Sequence, residues 1–115
     1  MSREEMVRIV ESFFDKVVKN EVDTLPLDAD VVFDSPLISE QRGRDAAVRY
    51  MTAVAAAVRG IRVRQHIVEG NNIATLFEED TDNGPLEVFA KFHVESGLIT
   101  DMRVYYDPRH LAPTG

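Results

Sequence analysis

The chain has no cysteine and no tryptophan. Without cysteine it can carry neither a disulfide framework nor a thiolate metal site. No apolar run approaches the roughly 18 residues needed to span a bilayer, so no membrane partner is expected. Positive charge is also scarce, with 13 basic residues against 20 acidic ones and a net charge of −7. A surface this acidic repels phosphate backbones unless its basic residues cluster, and no nucleic-acid partner is expected. Arg59, Arg62 and Arg64 come nearest to a cluster, with Glu69 following, and read as one solvated strand face. The glycines fall singly at turns, caps or the terminus, so there is no phosphate-cradling loop and no dinucleotide fingerprint. No serine or cysteine nucleophile arrangement is visible. The opening MSREEMVRIV begins a helical pattern containing acids, unlike a targeting leader, and a cytoplasmic location is expected.

What is present is apolar sequence: 44% of 115 residues. That suits one hydrophobic core, and residues 1–115 read as a single domain. Ser2 and Glu5 have capping-box spacing. Met6, Ile9, Val10, Phe13, Phe14, Val17 and Val18 then recur at three- and four-residue steps, predicting an amphipathic helix to about Lys19. Residues 20–27 leave room for one helical turn, 30–34 form a short strand, and 35–42 a loop containing Pro36. GRDAAVRYMTAVAAAVRG predicts a second helix, starting at Arg44 or Asp45 and ending at Gly60.

Beyond Gly60 the period changes to two, giving strands over 61–69, 73–80, 86–95 and 98–106 joined by hairpin turn chemistry. Helices gathered on one face of an antiparallel sheet make an α+β fold. Leu86, Val88, Ala90, Phe92 and Val94 form an apolar row opposite Glu87, Phe89, Lys91, His93 and Glu95. Met102, Val104 and Tyr106 alternate likewise with Asp101, Arg103 and Tyr105. The first rows should face the helices. Phe89, Tyr105 and Ile99, exposed among charges on the other side, would suit a homodimer formed through the sheet face.

This order of elements, with FDSPLISEQRGRDAAVRYM in the middle and GLITDMRVYYDPRHL near the end, resembles the nuclear transport factor 2-like superfamily. The similarity lies with its SnoaL-like and ketosteroid isomerase-like members and runs from about Glu4 to Leu111. It implies a cystatin-like roll: a cone-shaped, curved antiparallel sheet packed against N-terminal helices, its apolar interior holding a small molecule. Members include isomerases, cyclases, epoxide hydrolases, dehydratases, binding proteins and scaffolds, so fold alone does not select an activity.

Counted back from Gly43, Asp34 falls where the isomerases keep the carboxylate that moves a proton beside a carbonyl. Their oxyanion-stabilising tyrosine corresponds to Phe14 (or Phe13), and their protonated acid to Ala90, neither of which can donate a hydrogen bond. The limonene epoxide hydrolase pattern places an aspartate directly after an arginine, where this chain has Val104 after Arg103. Its Arg-x-Asp pair is missing as well, since Phe77-Glu78-Glu79-Asp80 contains no arginine.

Each candidate has a plainer alternative. Asp34 is a proton-transfer group or the closing residue of an Asx turn. Tyr50 is the substitute donor in a pocket with Ala47 and Val54, or a core residue with a satisfied hydroxyl. His66 and His93 share strand faces with charged residues and read as surface groups, although His66 near a curved rim can turn inward as a ligand-binding residue. Their spacing does not suit a metal. Glu78, Glu79, Asp80 and Asp82 read as a solvated hairpin end. Phe14, Ala90, Phe92, Met102, Val104 and Tyr106 line the cavity if one exists.

The expected function is binding of a small hydrophobic or carbonyl-bearing molecule. Catalysis, if present, is cofactor-independent proton transfer of isomerase, cyclase or dehydratase type, with Asp34 as base or acid and Tyr50 as donor. The alternatives are a non-catalytic binding protein and a dimeric scaffold of the same fold.

Overall fold

Helix α1, Arg3–Val18, starts where the capping box predicts: the Glu5 amide donates to the Ser2 hydroxyl at 3.2 Å, and the Ser2 amide donates back to the Glu5 carboxylate. In this computed structural model, which describes residues 1–111, its apolar stripe of Met6, Val10, Phe13, Phe14 and Val17 is buried. A short 3-10 turn at Val22–Thr24 leads into β1, Leu27–Ser35, followed by β2, Ile38–Arg42. Helix α2, Arg44–Ala57, begins at Gly43, whose φ of 105° is a conformation L side chains avoid. The Gly43 amide donates to the Val31 carbonyl at 2.8 Å and ties the start of α2 to β1.

The rest is β3, Gly60–Glu69; β4, Asn72–Thr81; β5, Gly84–Glu95; and β6, Leu98–Tyr105, with a closing 3-10 turn at Pro108–Leu111. The strands form one curved, open sheet in the order β2-β1-β6-β5-β4-β3, with both helices on one face. All pairs are antiparallel except β1 with β6. The fold is α+β, as expected.

Several details depart from the sequence reading, beginning with β1, which runs over Leu27–Ser35 and not only 30–34. Residues 38–42, expected as loop, form edge strand β2, paired to β1 across Pro36-Leu37. Four of its five residues are exposed, so it carries no apolar alternation to read. Helix α2 stops at Ala57, and Gly60 opens β3 instead of ending the helix.

The apolar row of β5 faces the helices throughout, with Leu86, Val88, Ala90, Phe92 and Val94 all buried. The register of β1 shifts against β6 between Leu27 and Val32 and against β2 between Phe33 and Ser35, and bulges break the alternation on β6 and β3. On β6 the pairing steps from His93↔Asp101 to Val94↔Ile99, leaving Thr100 as an extra residue. On β3 it steps from Val63↔Phe77 to Gln65↔Leu76, leaving Arg64 as the extra one. Each added residue reverses which side chains point inward. Ile99, expected on the exposed face, is therefore fully buried.

Candidate functional site

Between the two helices and the inner face of β3–β6 lies a cavity of about 90 Å³. Helix α1 supplies Phe13, Phe14 and Val17 to its wall, and α2 supplies Tyr50, Met51 and Val54. The sheet contributes Ile61, Phe77, Leu86, Ala90, Phe92, Met102 and Val104. Ring packing fixes this wall: Phe14 and Phe77 have centroids 4.5 Å apart, and Phe13 meets Phe92 edge-on at 5.6 Å. Tyr50 is held by Phe33 of β1, centroid to centroid 5.4 Å.

The polar groups on this wall are Glu79, Thr81, Tyr50 and Tyr106. Glu79 sits on β4, inward like Ile73, Thr75 and Phe77 before it. Among the described residues its carboxyl has no hydrogen-bond or ion-pair partner. Burial alone pushes its pKa up from 4.5 to about 7, because a carboxylate without a cation is disfavoured among apolar walls. Burial likewise raises the Tyr50 phenol to about 12, with the neighbouring Ser35 hydroxyl pulling the other way. Tyr50 therefore stays protonated and can donate, while Glu79 carries or releases a proton near neutrality.

Asp34 lies elsewhere. Phe33 points into the core, so its neighbour on β1 points to the opposite, helix-free face. There Asp34 accepts a hydrogen bond from Arg103 at 2.8 Å, and Arg103 also meets Asp101 at 3.2 Å and Glu40 at 3.0 Å. The expectation that Asp34 stands at the cavity is corrected by this geometry: strand parity carries it out of reach. An acid–arginine–acid cluster is present, but on the outer face. Glu79 was the residue that sequence reasoning passed over. It shares parity with Phe77, but four acids within the five residues 78–82 looked like a solvated hairpin end.

The model of the SnoaL-like domain matches residues 10–102, most of the chain. The chain belongs to the SnoaL-like domain family. Among curated protein sequences none matches it. Solved structures similar to this SnoaL-like domain include an NTF2-like protein of unknown function from Cytophaga hutchinsonii, with 20% identity, 92% and 93% of the two chains covered, and a TM-score of 0.79. An LEH-like epoxide hydrolase from M. tuberculosis is similar at 23% identity, with 93% and 86% covered and a TM-score of 0.74. A protein assigned provisionally as a ketosteroid isomerase, from Kribbella flavida, is similar at 16% identity, with 97% and 84% covered and a TM-score of 0.80. At these identities the likeness establishes the fold.

Within the SnoaL-like domain, Phe14, Tyr50, Ala90, Phe92, Met102, Val104 and Tyr106 share the cavity wall, and His66 does not. The β3 bulge turns His66 inward, as its place near a curved strand allowed, but against α1 and away from the cavity. Its Nδ1 pairs with the fully buried Thr75 hydroxyl at 2.8 Å, and its buried Nε2 has no hydrogen-bond partner, with Glu11 at 3.9 Å. His93 stays on the outer face beside Asn72 and Glu95. Among the described residues no group of three His, Cys, Asp or Glu could hold a metal ion, and no helix is long and apolar enough to cross a membrane.

Burial lowers the His66 pKa below 6.5, outweighing the opposing pull of Glu11. A depressed histidine pKa means the unfolded chain binds the proton more tightly, so stability falls as pH drops below 6.5 toward the folded value. Urea unfolding of His66→Gln across this range should show a shallower acid decline than the wild type. An unchanged slope would remove His66 from the account.

Proposed function

We propose that this SnoaL-like domain binds a small, largely apolar carbonyl compound in its cavity and catalyses cofactor-independent proton transfer on it, with Glu79 in the part expected of Asp34. One observation carries the reading: an unpartnered carboxyl on an otherwise apolar wall that also presents the Tyr50 and Tyr106 hydroxyls. The ionised Glu79 takes a proton from the carbon beside the carbonyl. The C–H electron pair becomes the new C=C bond, and the carbonyl π pair moves to oxygen, which accepts a hydrogen bond from Tyr50. Return of the proton from Glu79 to carbon completes an exchange or an isomerisation. The LEH-like and isomerase-type neighbours support a ligand-binding or catalytic role for this cavity without fixing the reaction or the substrate.

Deuterium uptake at the α-carbon of cyclohexanone, followed by NMR in D₂O, tests the proposal. The wild type and Asp34→Asn should accelerate exchange equally, and Glu79→Gln should fall to the uncatalysed rate. Loss of exchange in Asp34→Asn with retention in Glu79→Gln would reverse the assignment.

A second reading concerns the helix-free face, where Phe89 and Tyr105 lie directly opposite in register and are 39% and 56% exposed. Arginines there are paired with acids within the chain, as in the Arg62–Asp80 and Arg103–Asp34 pairs, which leaves Phe89 and Tyr105 as apolar surface on a face of balanced charge. We infer a homodimer through this face. Light scattering of the wild type should give twice the chain mass at micromolar concentration, and Tyr105→Glu should give the monomer.

A further inference from the structure

We propose that the same cavity is a receptor for small hydrophobic ammonium ions, with Glu79 as counter-ion and the aromatic wall as its cage. The inference rests on the reading of the cavity as a ligand site and adds a second ligand class to it. Six rings, Phe13, Phe14, Tyr50, Phe77, Phe92 and Tyr106, share the wall with a single carboxyl. Aromatic faces attract a cation within about 6 Å, most strongly when water is excluded.

Among the described residues no lysine, arginine or histidine lines the cavity, and His110 of the closing turn stands behind the wall, its Nε2 3.4 Å from the Thr81 hydroxyl and 3.3 Å from the Gly84 carbonyl. Each packed element can be checked for charge facing Glu79. Helix α1 presents only apolar side chains to the cavity, and α2 presents the neutral Tyr50. Strands β3 and β5 offer Ile61 and Leu86, its two cross-strand neighbours. Beyond β6 stands the Tyr106 hydroxyl, and farther along β4 the Thr81 hydroxyl. The nearest residues in sequence, Glu78 and Asp80, point to the other face and are already tied to Arg62. The site thus holds an anionic group for which the described residues supply no cation. A ligand cation removes the penalty that burial sets on the charged form, which ties binding to loss of the Glu79 proton.

The pH slope separates this ligand class from a neutral one. Glu79 titrates near pH 7, so an ammonium ligand should bind more tightly as pH rises through that value. A neutral hydrogen-bond acceptor that uses protonated Glu79 as a donor should bind more weakly over the same range.

Calorimetric titration with cyclohexylammonium chloride and with cyclohexanol, its neutral match in size, is the test. The wild type about one pH unit above the Glu79 midpoint should favour the ammonium roughly tenfold, falling below the midpoint. Glu79→Gln should bind both compounds alike at either pH. Equal affinity of the wild type for both compounds, or an ammonium preference that survives Glu79→Gln, overturns the inference and leaves the cavity standing as a neutral-ligand site. Failure of both compounds to bind overturns the cavity reading together with it. Ammonium binding without cyclohexanone exchange supports the inference and refutes the proton-transfer step alone.

Discussion

At about pH 8, Glu79→Gln should unfold at a free energy about 3 kcal/mol higher than the wild type, and at about pH 4 the two should be nearly equal. The reasoning is linkage. In the folded chain burial holds the Glu79 proton until about pH 7, whereas the unfolded chain releases it near 4.5. Between those values the native state binds more protons than the unfolded state, so the wild type loses stability as pH rises through that window. Above it, the folded chain holds a carboxylate with no cation beside it and bears the full penalty. Glutamine has the same shape and no charge, and escapes that penalty. Urea denaturation at several pH values measures this directly. Parallel pH profiles for the two proteins would mean that Glu79 is solvated in the native state. A residue that lowers stability while facing a cavity is better explained by its use there than by folding.

Phe92→Ala should lower stability by about 3–5 kcal/mol, a large share of the margin of a domain this size. Phe92 is 1% exposed and meets both Phe13 at 5.6 Å and Phe14 at 6.0 Å, so one ring joins β5 to two positions of α1. Its deletion leaves two aromatic partners without a face and opens space contiguous with the cavity. The structure around an existing void has little to collapse with, which places the loss toward the upper part of that range. Phe92→Leu keeps most of the volume and should lose far less. Chemical denaturation at a fixed pH reads both variants. Equal losses for Ala and Leu would show that ring packing, and not volume, holds the helix on the sheet.

Much of the fold was legible because local rules and global packing agree. The Ser2–Glu5 pair marked the start of α1, and the unbroken alternation of β5 marked its buried face. Strand β2 was illegible because an exposed edge strand has no buried row to reveal it. The orientation of Ile99 was lost to a single inserted residue, since no apolar pattern announces a bulge; His66 could be read only as ambiguous for the same reason. The site was legible in part. Tyr50 and the aromatic wall could be named, but Asp34 was placed by analogy when the parity of Phe33 already pointed it away. Glu79 was recoverable by extending the inward series Ile73, Thr75, Phe77 by one more step. Its acidic neighbours made that step look implausible.

The parallel contact of β1 with β6 has a consequence for how the chain acquires its shape. Asp34 and Arg103, bonded across that seam, are 69 residues apart in sequence. The antiparallel meander from β3 to β6 can zip through neighbouring turns, but β1 lacks its partner in that meander until β6 exists. During synthesis the β1–β2 hairpin therefore has α2 to pack against but an unpaired edge where β6 will lie, while the rest of the sheet emerges. Assembly of this protein is last-in, first-needed: the strand made near the end is the one that admits the strand made near the beginning.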